Sequence, residues 1–247
     1  MDKLAIVIPF YNEADCIPSL IKELDGFIDL IDADISIYAI NDGSKDNSAE
    51  LLASAALSRT WLKNINQSNG GHGSAVLNGY YQALESKTDW IFQMDSDQQI
   101  PIADLLPLWK ERDKNHAVLG IRRNRQDPKE RLLVSRILKK IIRLLFKVKV
   151  EDANCPFRLV PSIQLNHCLK FIPRTTFAPN IFISIILSKT FEVKQSFVTH
   201  CERQGGVNSI NRMNLLKICK RCFGELYHFW LTRNLWKQSQ NIHQSSL

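Results

Sequence analysis

DWIFQMDSDQQIP, residues 89–101, is a short apolar run that breaks off into carboxylates. Trp90-Ile91-Phe92 has the length and composition of a buried strand. Asp95, Asp97 and Gln99 follow at a spacing of two, which places all three on one side of a strand tip. Charge at that position must be solvated, paired or bound to a cation. Three oxygen donors on a short turn suit Mg²⁺ or Mn²⁺, which share their remaining positions between water and a substrate phosphate. Asp and Ser are also ordinary turn residues, so these thirteen residues alone leave a solvated turn and a cation site about level.

Working outward, apolar runs alternate with helical patterns. LAIVIPF (4–10) reads as a buried central strand and ends in Tyr11-Asn12-Glu13. Ile17, Leu20, Ile21, Leu24 and Ile28 recur at helical spacing. ISIYAI (35–40) is a second strand and ends in Asn41-Asp42-Gly43; a helix over 48–57 and a weaker strand near 62–66 follow. Asn69-Gly70-Gly71-His72-Gly73-Ser74 then opens a helix through Ala75, Val76, Tyr80, Ala83 and Leu84. After the Trp90 strand come a helix over 102–112 and a strand over 117–121, while 181–187 has the length of a strand or core helix. This order predicts an α/β fold, Rossmann-like, with a mostly parallel sheet and helices on both faces. Such sheets bind ligands at the carboxyl ends of their strands. Three strands ending in carboxylate-bearing loops therefore point to one site.

Composition bounds the rest. The 247 residues are 45% hydrophobic and 23% charged, the size of one large domain or a domain with an appendage. No run approaches the ~20 apolar residues of a membrane span, and the N-terminal run has no basic region or cleavage site before it. The six cysteines are scattered; Cys219 and Cys222 lack a second pair, so they read as helix packing rather than a zinc site. A reducing cytosol is the expected compartment. The net charge of +7 is local: residues 122–149 hold eleven basic and two acidic residues, a net +9, so the remainder is net −2. Within that segment Leu133, Ile137, Ile141, Leu144 and Val148 form an apolar stripe, and Arg136, Lys140, Arg143 and Lys147 a basic one. A cationic amphipathic helix suits an anionic membrane surface; the alternative is a helix on the sheet with a solvated face. No nucleic-acid motif accompanies the charge. The run 212–236 carries Phe223, Tyr227, Phe229, Trp230 and Trp236 among basic neighbours, which suits a lipid interface, core packing or a homo-oligomer contact. Residues 1–210 thus read as one domain with a basic segment at 122–149, and 211–247 as a C-terminal, membrane-proximal helix with a polar tail.

The Gly70-Gly71-His72-Gly73 loop has neither the dinucleotide glycine spacing nor the Gly-Lys-Ser/Thr of a P-loop. Its backbone N–H groups could approach a diphosphate, with His72 as an exposed loop residue or a donor to a phosphate oxygen.

Together VIPFYNE (7–13), NDGSKDNS (41–48), NGGHGSAVLNGY (69–80), MDSDQQIP (94–101) and DANCPFRL (152–159) resemble family 2 glycosyltransferases of the GT-A fold, especially the dolichol-phosphate-mannose-synthase-like branch. Each motif is weak alone; their order and spacing carry the likeness. The resemblance implies a hexosyltransferase-type enzyme of cell-envelope or polysaccharide biosynthesis. It would use a UDP- or GDP-linked sugar and Mg²⁺ or Mn²⁺, at the cytosolic face of a membrane. Pro9, Tyr11 and Glu13 would hold base and ribose, and Asp42 the base. Gly71, His72 and Gly73 would lie by the diphosphate. Asp95 would contact ribose and metal, Asp97 would be the principal metal ligand and Gln99 a further one. Arg203 would approach the diphosphate or an acceptor phosphate. The chain departs from the branch at His72, where Lys is usual, at Asn208 with Ser209 one later, and at Pro156, where Gly is frequent. A hydroxyl acceptor needs a general base, yet Phe177-Ala178-Pro179-Asn180-Ile181 has no carboxylate where relatives carry one. Asp152 and Glu151 remain candidates. An ionised phosphate needs no base, which favours a lipid-phosphate or lipid-linked glycan acceptor, approached by Arg122, Arg158 and the basic residues Arg136, Lys140 and Arg143. A saccharide-hydroxyl acceptor, or a non-catalytic docking protein, is the alternative.

Overall fold

The computed structural model describes residues 1–123, 125, 127–202 and 212–232. Its centre is a seven-stranded sheet in the order β3-β2-β1-β4-β6-β5-β7. β1 (Lys3–Phe10), β2 (Asp34–Asn41), β3 (Leu62–Asn66) and β4 (Trp90–Gln93) are mutually parallel, with Phe10 opposite Asn41 and Val7 opposite Gln93. β5 (His116–Arg122) and β7 (Glu192–Val198) are parallel to each other, and β6 (Arg158–Pro161) runs antiparallel between β4 and β5. The sheet is therefore mixed but mostly parallel.

β-Branched residues buried on both faces explain the unbroken apolar runs. Ala5, Val7, Tyr38, Ile40 and Ile91 face one layer, and Leu4, Ile6, Ile8, Ile37 and Phe92 the other. The second layer holds α1 (Ile17–Ile28), α2 (Ser48–Leu57) and α4 (Leu105–Lys110), the last entered through a 3₁₀ turn at Ile102–Asp104. α1 buries Ile17, Leu20, Ile21, Leu24 and Phe27, each contributing about 1.5–3 kcal/mol, which fixes it to the sheet. The first layer holds α3 (His72–Glu85), α5 (Lys129–Phe146), α6 (Ser162–Leu169), α7 (Pro179–Thr190) and α8 (Arg212–Leu231). Gly79 lets α3 sit against β1, since a Cβ there would lie 2.3 Å from Val7.

The 181–187 run, of strand or core-helix length, is the buried centre of helix α7. One expectation changes. In α5 the packed face is Leu138, Ile141, Ile142, Leu145 and Phe146, rather than one stripe from Leu133 to Val148. The helix ends at Phe146, with Lys147 left-handed at φ 55. Leu133, Ile137 and Leu144 point outward instead, 53%, 42% and 78% exposed. They share that face with exposed Arg136, Lys140 and Arg143. α8 seats Phe229 against Phe146 and Phe182, and Trp230 Nε1 donates to the Leu145 carbonyl at 3.1 Å. Among the described residues no helix is long and apolar enough to cross a membrane, and all six cysteines are free thiols.

Candidate active site

The strand directions decide which loops meet. The carboxyl ends of β1, β2 and β4 share one edge, and so do those of β5 and β7. Because β6 is reversed, the segment leading into it arrives at that edge as well. A cleft there is lined by Asp95, Asp97, Gln99 and Ile100 after β4, Arg122 ending β5, Pro156 and Phe157 before β6, and His200 after β7.

The β1 and β2 loops are laced together. Asn12 N donates to Ser44 Oγ at 3.0 Å, Glu13 N to Ser48 Oγ at 3.0 Å and Ala14 N to Asp46 Oδ2 at 3.1 Å. Gly43 has φ +64, and a Cβ there would lie 2.8 Å from Asn69 N. Pro9 and Glu13 are buried, while Tyr11 is 43% exposed and available to a ligand. Asp42 is 2% exposed: Oδ1 accepts from Gln67 Nε2 and Gly70 N, and Oδ2 from Gly71 N, each at 2.8 Å. This carboxylate holds the glycine loop in place. Gly71 caps α3 at φ 87, and Gly73 abuts the Thr176 and Phe177 carbonyls. His72 stands half-exposed at the start of α3, its Nε2 3.7 Å from Asp95 Oδ1.

Asp95 Oδ1 is buried without a hydrogen-bond partner. Asp97 Oδ1 accepts from Gln99 N at 3.2 Å. Gln99 donates its Nε2 to the Cys201 carbonyl at 3.4 Å, and its own carbonyl accepts from Cys201 N at 2.8 Å. That orients the amide so that Oε1 is its remaining acceptor. Two carboxylates and an amide oxygen are hard donors matched to Mg²⁺ or Mn²⁺, and a buried carboxylate oxygen that accepts no hydrogen bond suits a cation. Among the described residues no group of three His, Cys, Asp or Glu is arranged as a protein-only metal cage. The site fits a cation that takes further ligands from a diphosphate.

Across the cleft, Arg122 Nε and Nη2 donate to Asp152 Oδ2 and Oδ1 at 2.7 and 2.9 Å. Both side chains are nearly buried, 14% and 9% exposed. Burial alone would raise the Asp152 pKa, but the Arg122 hydrogen bonds outweigh it and hold the carboxyl below its ordinary value. Burial opposes the charge on Arg122 too, and Asp152 reverses the effect, leaving the guanidinium more firmly protonated than usual. Asp152 thus holds Arg122 in place, and a lowered pKa makes a carboxylate a weaker base. Glu151 pairs with Lys139. Asn180 is 3% exposed in α7, with its carbonyl on Arg158.

Arg158 corrects another expectation. It is 1% exposed, and its guanidinium donates to the carbonyls of Ala153, Cys155 and Asn180 and to Ser184 Oγ. It knits the 153–155 loop to α7, away from solvent and from the cleft lining. Arg136, Lys140 and Arg143 lie on the exposed face of α5, away from the cleft lining. Arg203, Asn208 and Ser209 fall outside the described residues. His200 and the Arg125–Asp127–Arg131 cluster beside it were missed in sequence. Burial first, then Arg122, keeps His200 below its ordinary pKa; no local pattern marks a histidine that only the β7 crossover brings to the cleft.

The mixed, mostly parallel sheet thus brings two carboxylates, an amide and an arginine together at its carboxyl edge. Residues 5–163 match glycosyl transferase family 2, and the chain belongs to that family. It is similar to undecaprenyl-phosphate 4-deoxy-4-formamido-L-arabinose transferases. The Pseudomonas fluorescens protein is 30% identical over 218 residues, 87% of this chain and 62% of the relative; the Edwardsiella ictaluri protein is 31% identical over 219 residues, 87% and 65%. The chain therefore spans less than two thirds of these curated relatives. In fold it is similar to glucosyl-3-phosphoglycerate synthase of Mycobacterium tuberculosis in complex with Mn²⁺, UDP and glucosyl-3-phosphoglycerate. That match has TM-score 0.60 at 15% identity over 90% of this chain and 80% of the other. Mannosyl-3-phosphoglycerate synthase of Rubrobacter xylanophilus matches with TM-score 0.65 at 14% identity over 96% and 75%.

Proposed function

We propose that the chain is a cation-dependent glycosyltransferase that moves a sugar from a UDP- or GDP-linked donor to a polyprenyl phosphate or lipid-linked glycan at the cytosolic face of a membrane. The observation that carries this reading is one cleft with Asp95, Asp97 and Gln99 on one wall and Arg122 on the other. The Asp95, Asp97 and Gln99 oxygens would hold Mg²⁺ or Mn²⁺, which supplies charge stabilisation to the departing diphosphate when bound. Tyr11 and Glu13 would flank the nucleoside, and His72 and the α3 N-terminus the diphosphate. Asp42 would act through the glycine loop it holds. Arg122, held in place by Asp152, would turn guanidinium N–H donors that Asp152 does not use toward an anionic acceptor without reorganisation. Of the two candidate bases, Asp152 is clamped and Glu151 is paired; an ionised phosphate nucleophile needs neither. The curated relatives' names, which specify undecaprenyl phosphate, point the same way.

Membrane contact is supported by the outward face of α5, where Leu133, Ile137 and Leu144 alternate with Arg136, Lys140 and Arg143. An apolar strip flanked by cations suits an anionic bilayer surface. The test is a nucleotide-sugar binding screen followed by turnover of the bound donor with a polyprenyl phosphate or a saccharide. Turnover on the saccharide alone would replace the acceptor assignment, and binding without turnover on either would leave a docking protein.

A further inference from the structure

We propose that Gln98, together with Glu23 and Ser19 of α1, is the positioning strut of the cation loop. The inference rests on the cation reading of Asp95, Asp97 and Gln99. Gln98 lies between two cleft-lining residues yet does not line the cleft itself. Its backbone is left-handed at φ 53, a conformation a non-glycine residue adopts at a cost. Its side chain is 9% exposed and turned away from the site. Oε1 accepts from Ser19 Oγ at 2.6 Å, and Nε2 donates to Glu23 Oε2 at 2.8 Å. The other Glu23 oxygen accepts from Ile102 N at 3.1 Å. One carboxylate thus staples both ends of the 98–102 turn to a helix.

The consequence lies on either side of the strut. With the Gln98 side chain pinned to α1, its neighbours Asp97 and Gln99 both line the cleft. Ser19 and Glu23 are four apart, on one face of α1. The opposite face of that helix is fixed to the sheet by its five buried apolar side chains. The far side of the turn is tied to Cys201 through Gln99. The oxygen donors are therefore held from both flanks before any ligand arrives, and rigid support of this kind sets metal affinity. Gln98 and Glu23 touch no reacting atom; their role is positional.

The test is Mn²⁺ titration of the full chain with UDP or GDP present, followed by electron paramagnetic resonance. Gln98→Asn tolerates the left-handed backbone and is one methylene too short for the strut. Glu23→Gln sets an amide N–H against a donor. Each is expected to weaken Mn²⁺ binding roughly 10- to 100-fold. The exchanged pair, Glu23→Gln with Gln98→Glu, rebuilds all three hydrogen bonds and is expected to restore most of the affinity and the wild-type spectrum. If wild type binds Mn²⁺ and the single variants bind it equally well, or the exchanged pair is as weak as they are, the strut is overturned. If wild type takes up no Mn²⁺, the cation reading itself fails and the strut fails with it.

Discussion

Asp152→Asn separates a structural reading of Asp152 from a catalytic one. The native carboxylate accepts two hydrogen bonds from Arg122 at 2.7 and 2.9 Å with both groups nearly buried. Asparagine keeps the shape, supplies one neutral acceptor and turns an N–H₂ toward a guanidinium that accepts nothing. Removing one partner of a buried pair costs about 3–5 kcal/mol, because the other charge stays buried and uncompensated. For a chain of this size that is a fall in melting temperature of roughly 6–20 °C. Thermal unfolding followed by circular dichroism measures it. Replacing both partners, as Arg122→Met with Asp152→Leu, should recover part of the loss, since no charge is left stranded. A general base would behave otherwise: turnover would drop about 10²- to 10⁴-fold with the melting temperature unchanged. That result would refute the clamp.

Acid should find the same weak points. Asp152 and Asp127 are held below the usual 3.8 by arginines that outweigh the effect of burial, so their stabilisation is complete above that value and is lost as pH falls through their depressed ones. Melting temperatures measured downward from pH 5 should fall steeply below pH 4, and a flat profile would contradict the pairing. Gly73→Ala would place a Cβ 2.3 Å from the Phe177 carbonyl oxygen; the resulting shift should cost about 1–3 kcal/mol in a denaturant melt. Changing Arg136, Lys140 and Arg143 to Gln should weaken sedimentation with anionic vesicles by about 1 kcal/mol per residue, roughly 100-fold in all. Unchanged sedimentation would remove the membrane contact.

The parallel half of the fold was legible because its signals are local. β1 is an apolar run and β2 is rich in isoleucine, α1 keeps a helical period, and each strand ends in turn chemistry. After β4, Asp95, Asp97 and Gln99 line one cleft, but from a turn beyond the strand end rather than from a strand tip. The later half was not legible. β6 has four residues, and nothing in Arg158–Pro161 announces an antiparallel strand. α7 is apolar on every face because it is fully covered, so periodicity could not separate helix from strand. Arg158 looked like surface charge because nothing local reveals burial; its partners are backbone carbonyls supplied by tertiary structure. Asp152 looked catalytic for the same reason, its arginine being thirty residues away. The outward face of α5 was partly legible: its charges stood out, but which leucines packed inward depended on α8 and the sheet.

The proposed function turns on whether the Asp95–Asp97–Gln99 wall binds a divalent cation on which transfer from a nucleotide sugar depends. The most direct measurement is nucleoside-diphosphate release from a UDP- or GDP-linked sugar with a polyprenyl phosphate, with Mn²⁺ and with chelator, for wild type and Asp97→Ala. Wild type is expected to release the nucleoside diphosphate in an Mn²⁺-dependent way, and Asp97→Ala to lose roughly 100-fold or more while melting at the wild-type temperature. Release by Asp97→Ala at the wild-type rate, or release by wild type in chelator, would contradict that function.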